Sequence, residues 1–229
     1  MWVHGTIRDL FATAGYEPSD ADWQFYEELR ERIVLANETM NLTRLVAPKE
    51  FFQKHVLDSV LPFLVTPALK KLPEHGVLAA DVGTGCGFPG LALHRLYPEW
   101  EIALIEKTIK KADFLERTVE EMGIERVYVV PLEARAAPAA AKVLRRGCRV
   151  VVARAVGRLA AVTETARGLL AKDGVLVHYK GGTIDDEELE EGRRAASKAG
   201  LMQIRPKRYT LPPDAERSVV LMRKRGAKD

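Results

Sequence analysis

The chain has 229 residues, with 35 Lys and Arg against 32 Asp and Glu for a net charge of +3, a length that suits one large domain better than two. An apolar fraction of 47% beside 29% charged residues is that of an ordinary water-soluble fold and argues against a disordered or membrane-spanning chain. Two cysteines and five scattered histidines exclude a disulfide framework and leave no metal-ligand spacing, so no metal is expected.

Residues 1–72 read as helices. Met1–Asp9 lacks the basic start and apolar run of a signal peptide, so a cytoplasmic chain with no membrane partner is expected. Ser19 with Asp22 forms an N-cap signature, and Phe25, Leu29, Ile33, Ala36 and Met40 recur at helical spacing. Pro48 starts a further helix carrying Phe51, Phe52, Val56, Leu57 and Val60, which Pro62 is expected to end. His55 and Asp58 lie one helical turn apart in it, suited either to covering a ligand or to ordering a cap.

From Gly76 the pattern alternates between strands and helices. Strands are predicted at 77–82, 102–105, 127–130, 150–153 and 175–179, with helical stretches around 90–97, 108–122, 135–146 and 158–171. This is the signature of a mostly parallel sheet covered on both faces. After Gly200, strands at 201–205 and 218–223 flank a turn at Pro212-Pro213-Asp214, an antiparallel hairpin. The expected architecture is a single Rossmann-like α/β domain. Residues 1–72 form a helical cap, and 73–229 form a core whose seven-stranded sheet ends in that hairpin.

The densest signal is Asp81-Val82-Gly83-Thr84-Gly85-Cys86-Gly87-Phe88-Pro89-Gly90, a strand end running through alternating glycines into a helix. Gly83, Gly85 and Gly87 allow the tight turn and close approach of backbone to a nucleotide-like ligand. Asp81 repels a pyrophosphate but suits a cofactor with an ammonium, which favours S-adenosylmethionine. Gly85 to Gly90 also fits the dinucleotide fingerprint G-x-G-x-x-G, so an NAD(P)-dependent oxidoreductase stays open; that reading needs the strand to run through Thr84. Glu106, at the end of the next strand, suits the two hydroxyls of an adenosine ribose under either reading. Arg154 and Lys180 follow the predicted strands 150–153 and 175–179, on the edge where such sheets bind ligands, and are the candidates for handling the acceptor. The basic residues from Arg205 through Arg223, Lys224, Arg225 and Lys228 suit phosphate contact or a solubilising end.

Three absences narrow the chemistry. There is no [ND]-P-P-[FY] stretch for methylation of an exocyclic amine, no Pro-Cys nucleophile, and no metal cluster. An acceptor such as guanine N7, whose lone pair needs no deprotonation, fits what remains. The chain resembles the bacterial 16S ribosomal RNA guanine-N7 methyltransferases from about Asn41 to Gly181. The resemblance runs through Asn41-Leu42-Thr43, Lys54-His55-Val56-Leu57-Asp58-Ser59, the glycine loop, Lys110–Leu115, Ala153-Arg154-Ala155 and Tyr179-Lys180-Gly181. It implies S-adenosylmethionine as donor and 16S ribosomal RNA or the small-subunit particle as partner, with a monomer expected. It also implies a cofactor role for Arg154, Phe88 near the cofactor, Glu106 where the family often has Asp, and Ala134 and Arg135 beside the adenine. The stretch Glu133-Ala134-Arg135-Ala136 departs from the family's usual Arg-Val-Glu-Glu. A non-catalytic RNA-binding protein on the same fold is the third reading; the intact glycines and both acids argue against it.

Overall fold

The computed structural model describes residues 2–204 and 206–224. The N-terminal region comprises α1 (Trp2–Thr13), α2 (Asp20–Met40), α3 (Pro48–Glu50), a π-helical stretch (Phe51–Leu57), α4 (Asp58–Val65) and α5 (Pro67–Lys70). Ser19 and Asp22 close the expected capping box on α2. The buried stripe of α2 is Trp23, Tyr26, Leu29 and Ile33; Leu29 and Ile33 are as predicted, Phe25, Ala36 and Met40 are partly buried beside them, and the aromatic cluster with Phe11 and Phe52 draws Trp23 inward. Pro62 lies inside α4 and does not end it: Val60, Leu61 and Phe63 are buried around it, and this packing outweighs the lost backbone bond.

The remainder is an α/β sheet. Its strands are β1 (Leu78–Val82), β2 (Glu101–Ile105), β3 (Val127–Val130), β4 (Cys148–Arg154), β5 (Leu170–Gly181), β6 (Leu201–Gln203), β7 (Lys207–Leu211) and β8 (Ala215–Lys224). The order is β3-β2-β1-β4-β5-β8-β6, with β7 also pairing β8. The first five strands are parallel, and β8 runs antiparallel to β5. Among the described residues, eight strands replace the expected seven because the edge strand is broken. Its ladder reaches Ile204, whose N–H donates to Leu221 O at 2.7 Å, and resumes at Lys207. Between them Pro206 has no N–H to donate. β5 begins at Leu170, not Val175, with a register shift opposite Cys148 to Val150; the predicted helix over 158–171 shortens accordingly to α9 (Leu159–Ala166). The helix expected over 135–146 is only α8 (Ala137–Ala140) and a 3-10 turn (Lys142–Leu144).

Period-two alternation divides the core between the two faces of the sheet. Ala79, Leu104, Val150, Val152, Val177 and Tyr179 pack with the N-terminal helices, α6 (Gly90–Leu96) and α7 (Ile109–Glu121). Ala80, Val82, Ala103, Val151, Ala153 and Leu176 pack with α8, α9 and α10 (Asp186–Lys198). The N-terminal helices thus share one core with a sheet face, and π-helical Phe51–Leu57 reaches the C-terminal edge of the strands.

Candidate active site

The glycine loop leaves β1 at Val82. The fingerprint reading needed the strand to continue through Thr84, so the dinucleotide alternative loses its structural condition. Gly83, Gly85 and Gly87 all have positive φ, at 67°, 62° and 100°, a conformation that costs most residues but not glycine. The loop is tied to β2 by Gly83 N and Thr84 N, which both donate to Ile105 O. Asp81 pins it from below: its Oδ2 accepts from Thr84 Oγ1 at 2.6 Å and from the N–H of Gly90 at 2.7 Å. Its Oδ1 is buried with no hydrogen-bond partner among the described residues. Burial raises the Asp81 carboxyl to about 6, against the pull of those two donors.

Glu106 stands at the end of β2 beside this turn. Its Oε2 accepts from the N–H of Gly85 at 3.1 Å and its Oε1 from the N–H of Thr108 at 2.8 Å. The carboxylate is therefore oriented, and each oxygen keeps a lone pair for a further donor. A Cβ on Gly85 would meet nothing within 4 Å, so there is open space over the turn next to an oriented acid. Apolar Ile109, at the start of α7, and Val156, on the loop after β4, are exposed. The end of β3 lies alongside, since Glu106 N donates to Val130 O, and this brings the Ala134–Arg135 segment to the same edge. Ala134 is buried and Arg135 exposed there.

The second half of the site joins the sheet to the cap. Arg154 ends β4 on the cap face; its Nη1 donates to Lys54 O at 2.9 Å, its Nη2 lies 3.2 Å from His55 Nδ1, and Asp58 Oδ2 is 3.6 Å away. The π-helical stretch supplies this geometry, because its wider winding spaces Lys54, His55 and Asp58 around one guanidinium. An Arg cannot accept, so His55 Nδ1 carries the lone pair and Nε2–H faces Thr43 Oγ1 at 3.0 Å. Burial, reinforced by Arg154, lowers His55 to about 3 and keeps it neutral. Asp58 Oδ1 accepts from Tyr209 Oη at 3.0 Å and lies 3.5 Å from Arg217 Nε. Tyr179 Oη donates to Ser59 O at 2.6 Å. Asp58, Arg154, Ala155, Gly157, Tyr179, Lys180, Gly181 and Arg217 together line a cavity of about 180 Å3.

The structure therefore brings Asp81, Gly83, Gly85, Gly87, Glu106, Ala134, Arg135 and Arg154 to one edge of the sheet. Phe88 turns away from the turn's open side and into the cap, stacked on His55 at 5.1 Å and edge-on to Phe51. Lys180 departs furthest from its expected role: its ammonium is bound to Glu188 Oε1 at 2.7 Å, an acceptor that also takes Leu159 N–H. It reaches the cavity rim as a paired charge, and a phosphate would compete with Glu188 for it. The basic tail also needs correcting. Arg223 pairs with Val175, midway along β5, and Lys224 donates to Leu170 O at its start, about 20 Å or more from the Gly181 end by strand rise. Arg205, Arg225 and Lys228 lie outside the described residues. Sequence reasoning left Asp58 unassigned, counted Arg217 as tail and passed over Tyr209. The signal for Arg217 is the β5–β8 register, which sets it opposite Gly181, and for Tyr209 the β7–β8 register, which sets it opposite Arg217; Asp58 is brought in only by the docking of the cap.

Five parallel strands, an antiparallel β8 beside β5, and a glycine turn ending β1 over a buried acid define a Rossmann-like methyltransferase fold. M. jannaschii TYW2 in complex with AdoMet shares this fold at TM-score 0.52 and 16% identity, over 68% of this chain and 71% of that one. A variant of the 16S rRNA (adenine(1408)-N(1))-methyltransferase from Catenulisporales acidiphilia does so at TM-score 0.55 and 15% identity, over 68% and 89%. At the sequence level, the GidB family, described as rRNA small subunit methyltransferase G, matches residues 23–212. Ribosomal RNA small subunit methyltransferase G of Lactococcus lactis subsp. lactis (strain IL1403) is 33% identical over 208 residues, 90% of this chain and 84% of the relative. The protein of that name in Desulfitobacterium hafniense (strain Y51) is 36% identical over 196 residues, 85% and 77%. The chain belongs to the rRNA small subunit methyltransferase G family.

Proposed function

We propose that this chain transfers a methyl group from S-adenosylmethionine to N7 of a guanine in small-subunit ribosomal RNA. Family membership supports the substrate class. The reaction type rests on one observation: the imidazole at the site is not available as a base. The Nδ1 lone pair of His55 faces the Arg154 guanidinium and its Nε2–H faces Thr43. A site whose imidazole is held in this way suits an acceptor that has no proton to lose.

The residues present fit the donor. Gly83, Gly85 and Gly87 open the turn to its methionyl end, Glu106 takes the ribose hydroxyls, and the Ala134–Arg135 backbone flanks the adenine. Asp81 holds the turn in shape from beneath, and its unpartnered Oδ1 favours the cationic end electrostatically. Bound S-adenosylmethionine supplies a sulfonium methyl, the N7–C bond forming as the C–S bond breaks with its electron pair left on sulfur. Arg154, fixed from three directions, orients the acceptor base, and positioning supplies most of the acceleration. The cavity is small beside the roughly 300–1,000 Å3 of sites for whole drug-sized ligands, so it suits a single unstacked base with its phosphates left outside. Lys207 and Arg208 on β7 are exposed toward the Arg217 end of β8 and suit phosphate contact.

The test is to incubate the purified protein and S-adenosylmethionine with small-subunit particles, and separately with naked small-subunit RNA, from a strain lacking the enzyme, then map methylated nucleosides by mass. N7-methylguanosine is expected. A product methylated on an exocyclic amine, or activity on a small metabolite alone, overturns the reading.

A further inference from the structure

Resting on the guanine reading above, we infer that Asp58 is the specificity-determining residue of the acceptor cavity, its carboxylate accepting from N1–H and the N2 amino group of the target guanine. The argument starts from the supply of acceptors. Arg154, Lys180 and Arg217 line the cavity as donors only. Tyr179, the remaining polar side chain of the lining, spends its hydroxyl hydrogen on Ser59 O. Asp58 is thus the side-chain carboxylate that this lining offers.

Its two oxygens are not equivalent. Oδ1 accepts from Tyr209 Oη at 3.0 Å and has Arg217 Nε at 3.5 Å. Oδ2 has Arg154 Nη1 at 3.6 Å, close enough for charge attraction but beyond hydrogen-bond range. Arg154 gives its bonds to the backbone of Lys54 and to His55 instead. Tyr209 and the two arginines therefore hold the carboxylate in place while leaving Oδ2 able to accept.

Guanine carries two adjacent donors, N1–H and the N2 amino group, and a carboxylate accepts from both at once. Adenine has an acceptor at N1 and would set a lone pair against the acid. The orientation is also productive. Asp58 comes from the cap over the β4–β5–β8 end, and the cofactor turn lies across β4 at the ends of β1 and β2. A purine with its N1/N2 edge on Asp58 directs the opposite edge, which bears N7, back toward that turn. As the N7–C bond forms the ring becomes cationic and N1–H more acidic, so its bond to Asp58 strengthens in the transition state; no proton leaves the base. An interaction that grows along the reaction raises turnover as well as affinity.

The experiment is a cycle between residue and base. The methylated guanine is first mapped with the parent enzyme. RNA is then ligated with inosine, which lacks the N2 amino group, at that position, and kcat/KM is measured for parent and Asp58→Asn on both RNAs. The parent should lose about ten-fold on inosine. Asp58→Asn should lose activity on both RNAs, because inosine keeps N1–H, but it should lose about ten-fold more on guanine, so that the parent's preference for guanine over inosine largely vanishes. Losses that multiply would show that Asp58 is only a counter-ion for Arg154 and Arg217, and would overturn the inference. So would a parent enzyme that methylates inosine as fast as guanine. If Asp58→Asn does not fold, the parent on RNA carrying 1-methylguanine, which has no N1–H, replaces it: a loss above ten-fold supports the inference and normal turnover overturns it. A parent enzyme that methylates no guanine at all removes the functional reading, and the inference falls with it.

Discussion

The two halves of the candidate site are built in opposite ways. The cofactor half is local: ten consecutive residues, Asp81 to Gly90, form a turn pinned by Asp81 through Thr84 and Gly90. A second acid, Glu106, is added from the adjacent strand end. The acceptor half draws Asp58, Arg154, Tyr179 and Arg217 from four separate segments onto one cavity, with Tyr209 from a fifth holding Asp58. A local turn changes little when distant parts of the chain drift, whereas a cavity of distant side chains requires the cap, the sheet and the hairpin to dock together. Substitutions in the two halves should therefore separate donor binding from turnover.

The largest separation is expected at Arg154. Arg154→Ala removes the group that joins cap to sheet and should cut turnover about 100-fold with S-adenosylmethionine affinity changed no more than a few-fold, as measured by single-turnover kinetics and calorimetry. Arg154→Lys should not restore it, because an ammonium cannot bridge Lys54 O and His55 Nδ1 as a fork does. Near-normal turnover at saturating RNA and donor would reduce Arg154 to a structural tie. The mirror-image change is Glu106→Ala. It should weaken donor binding by roughly 1.5–3 kcal/mol for each hydrogen bond removed, with turnover at saturating donor moved far less. Unchanged affinity in a folded variant would show that the ribose lies elsewhere.

A third expectation uses pH, because one buried group in each half pushes stability in opposite directions. Asp81 titrates near 6 folded against 3.8 unfolded. The folded state thus binds more protons between those values, and the stability present below about pH 4 is lost as pH rises through 6. His55 titrates near 3 folded against 6.5 unfolded, so its contribution is present above 6.5 and is lost as pH falls toward 3. Between pH 4 and 6, Asp81→Asn should make stability rise more steeply with pH than in the parent, and His55→Gln should flatten the rise. Each change should be of order 2 kcal/mol. Denaturant midpoints at pH 4, 5, 6 and 7 measure both, and parallel profiles for parent and variants would contradict these shifts.

The smallest effect concerns RNA at the two ends of β8. Replacing Lys207 and Arg208 by Ala should lower the salt slope of RNA binding by roughly 1 to 2, one step for each phosphate no longer neutralised. Replacing Arg223 and Lys224 should leave the slope unchanged, because they sit at the far end of the strand. The reverse result would move the RNA path to the N-terminal edge of the sheet.

The local half was legible because its determinants are neighbours in the chain. Alternating glycines after an apolar run, an acid two residues before the first, and an acid at the next strand end each report a backbone requirement at that position. The same holds for the capping box at Ser19 and the turn at Pro212-Pro213, which fixes a hairpin whatever lies around it. Pro62 misled because its local rule was overridden by burial. Lys180 misled because Glu188, eight residues further on, returns on α10 to meet it.

By itself, then, the sequence determined the parallel sheet with its antiparallel hairpin, the glycine turn with its two acids, and the arginine at the end of β4. Each of these follows from periodicity, backbone sterics or adjacency, which act over a few residues. Tertiary structure alone decided that the π-helical stretch wraps Arg154, that Asp58 meets Arg217 and Tyr209, and which basic residues share the site's edge. Those contacts span 96 residues from Asp58 to Arg154 and 159 from Asp58 to Arg217. At such separations no local propensity relates the partners; the register of β8 on β5 and the docking of the cap do.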